Sequence, residues 1–154
     1  MSARFYFDDL HVGQRFESDT VTLDAVQIKR FAAEFDPQPF HLDEAAAAGS
    51  VFGGLVASGW HTASATMRLL VQGGAPFVGG MVGAGVEVSW RQPTRPGDTL
   101  QVVSEIVELA PSRSDPGRGR VLLRSETRNQ HGAVLQIMSA RVLVQRRPPS
   151  GEAD

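Results

Sequence analysis

The chain has 154 residues, 42% of them hydrophobic, which is enough for one well-buried core and too short for two ordinary domains. Its formal charge of −2, with 15 basic and 17 acidic residues mixed along the sequence, leaves no electrostatic footprint for nucleic acid or an anionic membrane. Cysteine is absent, so disulfides, a thiolate nucleophile and a Cys-based metal site are excluded, and redox chemistry says nothing of compartment.

Residues 1–9 carry Arg4, Asp8 and Asp9 instead of an apolar signal core, and no apolar run approaches membrane-spanning length. A soluble cytoplasmic protein is the expectation. Residues 1–20 are mixed and polar and read as a lead-in, with Phe5, Phe7 and Phe16 as packing anchors and Gly13 as a turn. Asp24 and Gln27 form a capping box, and Ile28, Phe31, Ala32 and Phe35 recur at i, i+3, i+4 and i+7, which predicts a helix over Ala25–Phe35. Asp36-Pro37 ends it. A short alanine helix over Glu44–Ala48 follows, capped by Asp43, with Gly49 as a left-handed stop.

Beyond Gly53-Gly54, the residues Val56, Trp60, Ala63, Met67, Leu70 and Val71 mark an apolar face at helical spacing that runs to Gly73-Gly74. This is the long helix, and Trp60 and Met67 read as core packing. The period then changes from 3.6 to 2: Val82, Ala84, Val86, Val88 and Trp90 alternate with small or polar residues up to Pro93. Further strands are predicted over 99–109, 120–129 and 133–145, joined by Pro96-Gly97-Asp98, by a polar loop over 111–119 and by His131-Gly132. Strands joined by turns imply an antiparallel sheet, and one long helix is available to cover its buried face. The fold class is therefore α+β, a single domain over 1–147 with a disordered tail over 148–154; Arg146 and Arg147 start the segment expected to lose order.

The segment Phe35-Asp36-Pro37-Gln38-Pro39-Phe40-His41 sets a carboxylate and an imidazole five residues apart on a stretch stiffened by two prolines, which lock φ at about −65°. Asp36 and His41 form a candidate acid/base pair. Either residue alone would be an ordinary turn or surface residue; the pair with its prolines is less ordinary. His11, His61 and His131 show no ligand spacing, and no metal is predicted.

These residues resemble the MaoC-like dehydratases, a hot-dog-fold family that includes the (R)-specific enoyl-CoA hydratases. Four features carry the likeness: Phe7-Asp8-Asp9-Leu10-His11-Val12-Gly13-Gln14; Phe31-x4-Asp36-x-x-Pro39-x-His41; Phe52-Gly53 leading to Gly59; and Arg91-x-Pro93 followed by Gly97-Asp98. Gln38 stands where the family commonly has Asn, and Ser58-Gly59 where it commonly has His-Gly. The resemblance implies a hot-dog domain, an antiparallel sheet wrapped around one central helix, working as a homodimer on an acyl-CoA thioester. Coenzyme A would be the substrate's carrier, with no other cofactor.

Under this likeness Asp36 and His41 would hold one water and handle both protons of reversible enoyl-thioester hydration, while the Gly59 N–H at the helix N-terminus would bind the thioester oxygen. Ser58, Gln38 and Phe40 would contact substrate, with a helix N-cap as the competing role for Ser58. Arg91, Arg95, Arg146 and Arg147 are candidates for the carrier's phosphates, against plain surface charge. Two other readings share the fold: a thioesterase, disfavoured because no carboxylate occurs over 58–72, and a non-catalytic acyl-binding subunit. Acyl length and the choice between coenzyme A and an acyl carrier protein are open.

Overall fold

The computed structural model describes residues 3–150. Among them five strands form one antiparallel sheet: β1 (Arg15–Thr22), β2 (Met81–Trp90), β3 (Thr99–Pro111), β4 (Arg118–Arg128) and β5 (Val134–Gln145), in the spatial order β1-β3-β4-β5-β2. Helices α1 (Ala25–Phe35), α2 (Pro39–Leu42), α3 (Glu44–Ala48) and α4 (Gly59–Leu69) all lie in sequence between β1 and β2, and a wider π turn over Leu70–Gly74 extends α4. The sheet curls around α4 as a hot-dog fold does. A register shift interrupts each of its four strand pairings, and such bulges bend and twist a strand.

Three predicted elements appear where the patterning put them. α1 begins at Asp24, whose carboxylate accepts from Gln27 N at 2.8 Å while Gln27 Oε1 accepts from Asp24 N at 2.9 Å. α3 spans Glu44–Ala48 under its Asp43 cap, and β2 ends at Trp90, ahead of Pro93. Gly49, however, closes α3 with φ −87° and ψ 0°, so the stop is right-handed, not left-handed.

Residues 15–22 are not a mere lead-in. They form edge strand β1, paired to β3, and the bulge between Glu17 and Thr20 breaks the alternation that would have revealed it. Phe5 and Phe16 serve as the anchors expected, their rings tilted to one another at 5.5 Å, with Phe77 edge-on to Phe16 at 6.3 Å. At the other end, Arg146 and Arg147 are held: their guanidinium groups pair with Asp8 at 2.9 Å and Asp9 at 2.7 Å and sit over the rings of Phe7 and Tyr6. Residues 148–150 are irregular, and 151–154 of the expected tail lie outside the described residues.

The largest revision concerns which side of α4 is buried. Thr62, Thr66 and Leu69, followed by Leu70, face the sheet, whereas Trp60, Met67 and Val71 are 58%, 44% and 48% exposed. Trp60 and Met67 are therefore not core residues. Threonine tolerates this burial because its hydroxyls are paired: Thr62 with Thr94 at 2.8 Å, and Thr66 with Thr127 at 2.6 Å and with the Thr62 carbonyl at 2.8 Å. The apolar core sits beside this seam, around Phe77, Leu70, Leu100, Ile106, Leu123, Leu135 and Ile28.

Candidate active site

Asp36 caps the C-terminus of α1, its N–H bonded to Ala32 O at 2.9 Å. Pro37 and Pro39 then turn the chain into α2, a four-residue helix with Pro39 at its first turn, where a missing N–H costs nothing. α2 carries His41 into the protein, where it is 5% exposed. Its Nδ1 lies 2.7 Å from Val56 O. A carbonyl only accepts, so Nδ1 bears the hydrogen, and Nε2 turns to Asp36 Oδ2 at 3.3 Å.

Burial alone would raise the Asp36 carboxyl. Hydrogen bonds from the Ser58 hydroxyl and the Gln38 amide, together with the field of His41, outweigh it and hold the group below the ordinary aspartate value. Gln38 Nε2 makes its bond to Asp36 Oδ1 at 2.7 Å. Phe40 stands edge-on to the His41 ring at 4.6 Å and packs on Phe52 at 5.2 Å, fixing the imidazole from its other side.

The pair lines a cavity of ≈ 510 Å³, within the range of small-molecule sites. Gly59, the first residue of α4, lines the same cavity, and its N–H meets no acceptor among the described residues. An unpaired donor at a helix N-terminus favours negative charge nearby. A buried imidazole in contact with a partly buried carboxylate, one free backbone donor and an otherwise largely apolar wall are the groups that acid/base chemistry with a developing oxyanion would need.

Residues 9–127 match the MaoC like domain. The chain belongs to that family. A MaoC-like dehydratase from Rhodospirillum rubrum shares its structure at a TM-score of 0.91 with 54% identity, the match covering 94% of this chain and 99% of that one. The R-hydratase PhaJ1 from Pseudomonas aeruginosa matches at a TM-score of 0.72 and 26% identity over 94% of this chain and 88% of its own. A 3-hydroxybutyryl-CoA dehydratase from Methylorubrum extorquens is 33% identical over 111 residues, 70% of this chain and 68% of the relative.

In this MaoC-like domain, the cavity gathers Asp36, Gln38, Phe40, His41 and Gly59. Ser58 is absent from the cavity lining: it is fully buried, its hydroxyl accepts from Trp60 N at 3.2 Å, and it helps to hold the Asp36 carboxyl down. It is both the helix cap and a partner of the carboxylate. Of the four arginines, Arg91 alone reaches the cavity. Arg95 is spent on the carbonyls of Phe52, at 2.8 Å, and Gly54, at 3.5 Å, while Arg146 and Arg147 are tied to Asp8 and Asp9.

Patterning missed Trp60 and Trp90 at this site. Their rings meet edge to face at 5.4 Å, and both line the cavity. A large apolar residue on a periodic stripe reads as core, and no local signal distinguishes one that borders a cavity. His61 is stacked flat on Phe31 at 4.6 Å, and burial lowers its pKa. It is absent from the cavity wall.

Proposed function

We infer that this protein is a hydro-lyase that reversibly hydrates a trans-2-enoyl thioester, with coenzyme A as the carrier and the (R)-3-hydroxyacyl thioester as the product. The observation that carries the reading is the Asp36–His41 contact of 3.3 Å at the wall of a cavity that also presents the free Gly59 N–H. The relatives support the same chemistry: one is named as an R-hydratase, another as a dehydratase of a 3-hydroxyacyl-CoA.

Water would bind between the two side chains, donating one hydrogen to the ionised Asp36 and presenting the other to His41 Nε2. As its oxygen bonds to the β carbon, the C=C electrons move towards the thioester, and negative charge gathers on the carbonyl oxygen opposite the Gly59 N–H. The pair takes the proton released by water, and a proton passes from it to the α carbon, so the double bond gains one hydroxyl and one hydrogen. Positioned acid/base groups contribute about 10²- to 10⁴-fold to such steps. Neither proton transfer is assigned to one residue, because two groups in contact titrate as a unit.

A homodimer completes the proposal. β2 is an edge strand whose Val86 and Trp90 are exposed, and Trp60 and Met67 of α4 and Val71 of the turn that follows it are exposed as well. A second copy pairing along β2 would close the open edge and cover that surface.

The test is spectrophotometric. Purified protein mixed with a panel of trans-2-enoyl-CoAs should bleach the conjugated enoyl-thioester absorbance without releasing free thiol. Thiol release in place of bleaching would identify a thioesterase, and binding without either change would identify an acyl-binding subunit.

A further inference from the structure

Trp90 stands at the end of β2, and in the sheet register it is paired with Gln136 of β5. Its indole N–H lies 3.0 Å from Gly59 O and 3.0 Å from Gln136 Oε1, a three-centre bond that joins the first residue of α4 to the sheet. Its ring is equally close. A Cβ built on Gly59 would stand 2.5 Å from Trp90 Cε2 and 2.8 Å from Cδ2 and Cζ2, so the indole occupies the space where any other residue would carry its side chain. Trp90 is nonetheless 45% exposed, and burial alone does not explain its place.

The bonds behind it run in one direction. Thr66 has a single hydroxyl hydrogen, and the Thr62 carbonyl, 2.8 Å away, can only accept it. Thr66 Oγ1 must therefore accept from Thr127 at 2.6 Å and from Gln136 Nε2 at 3.0 Å. With its amide nitrogen committed to Thr66, the fully buried Gln136 presents Oε1 to Trp90, whose N–H can only donate. A flipped Gln136 amide would turn Nε2 against the indole N–H, donor to donor, and Oε1 against a Thr66 hydroxyl whose hydrogen is already given to the Thr62 carbonyl. The Gly59–Trp60 peptide is gripped at both ends: its carbonyl by Trp90, its N–H by Ser58 Oγ at 3.2 Å.

We propose that Trp90 is a positioning residue that sets the orientation of the Gly59 N–H towards the thioester oxygen, anchored through Gln136 and Thr66 to the buried polar seam. The inference rests on the hydratase reading above and adds a residue to it. Glycine needs such a restraint because it is the residue freest to rotate its backbone. The indole bond fixes the peptide that follows Gly59 and the ring packs on its Cα, so the two together restrict the rotation about Gly59 that would swing the neighbouring Ser58–Gly59 peptide and its N–H. Keeping that angle when the substrate oxygen gains charge is how preorganised donors lower a barrier.

The test compares Asp36→Asn with Asp36→Asn/Trp90→Phe, each bound to the trans-2-enoyl-CoA that the wild type turns over fastest, labelled with ¹³C at the thioester carbonyl. Isotope-edited infrared difference spectra report how strongly the enzyme polarises that carbonyl. The Asp36→Asn complex should show the carbonyl stretch shifted to lower frequency, and adding Trp90→Phe, which keeps an aromatic ring but loses the N–H, should remove at least half of that shift. In the otherwise wild-type protein, Trp90→Phe should lower kcat by tenfold or more with KM changed less than threefold. Gln136→Met, which leaves the indole but takes away its anchor, should give a smaller loss of the same kind and serves if Trp90→Phe fails to fold. An undiminished shift with Trp90→Phe would overturn the positioning role and leave the hydratase standing. The absence of any shift in Asp36→Asn would instead remove Gly59 as the oxyanion donor.

Discussion

Asp36 is kept ionised by neighbours that work against its burial, and Ser58 is the first of them. Ser58→Ala should therefore raise the Asp36 pKa towards its ordinary value. Under the proposed acid/base role of the carboxylate, the acidic limb of the kcat/KM profile should move to higher pH, and a pH–rate series on both proteins reads this directly. Linkage has the same sign. A depressed carboxylate pKa stabilises the fold above the unfolded value of about 3.9, and that stability is lost as pH falls through the folded value. Ser58→Ala should thus narrow the stability gap between neutral and acid solution in urea titrations. Gly59→Ala tests the facing wall. Its methyl would strike the Trp90 ring, and displacing the donor should lower kcat by about 10²- to 10³-fold, measured as initial rates on an enoyl-CoA. That Asp36 and His41 come into contact was legible in the sequence because proline spacing marks the two residues locally. Trp90 was not, because its partners Gly59 and Gln136 come from distant segments, 31 and 46 residues away.

Among the elements, α4 departs furthest from its sequence pattern, and the cause is chemical. Its spacing allows a face through Trp60, Met67 and Val71, yet the helix turns Thr62 and Thr66 inward because Thr94, Thr127 and Gln136 supply their partners there. A reading based on hydrophobicity has no term for a hydroxyl that finds its bond 61 residues away. Thr66→Val, nearly the same shape without the hydroxyl, leaves the Gln136 amide and Thr127 unpaired and should cost about 1–3 kcal/mol, read from urea unfolding midpoints at constant m. α1 gives the contrasting case, since its boundaries follow from a local capping box. Asp24→Ala should cost about 0.5–2 kcal/mol in the same titration. β1 escaped detection for a third reason: its bulge shifts the inward side chains out of strict alternation.

For the whole molecule, the change of period from helix to strand was enough to predict an antiparallel sheet around one helix, because turns and alternation are local signals. Strand order β1-β3-β4-β5-β2 was not, since it depends on pairings between segments far apart in the chain. That order leaves β2 at an edge, with Val82, Val86 and Trp90 exposed along it. Light scattering coupled to gel filtration should give twice the mass of the chain, and Val86→Lys should shift it towards a monomer. The chain's two tryptophans are Trp60 and Trp90, and both border the cavity, so intrinsic emission should change on binding an acyl-CoA. Among the described residues no helix is long and apolar enough to cross a membrane. The family, the fold and the joined Asp36–His41 pair all bear on one reaction. The most direct test is the hydration rate of a short trans-2-enoyl-CoA by the wild type, Asp36→Asn and His41→Ala, with folding verified by circular dichroism. The account predicts measurable wild-type turnover and a loss of about 10²- to 10⁴-fold in each folded variant; a folded variant that keeps more than a tenth of the wild-type rate would contradict it.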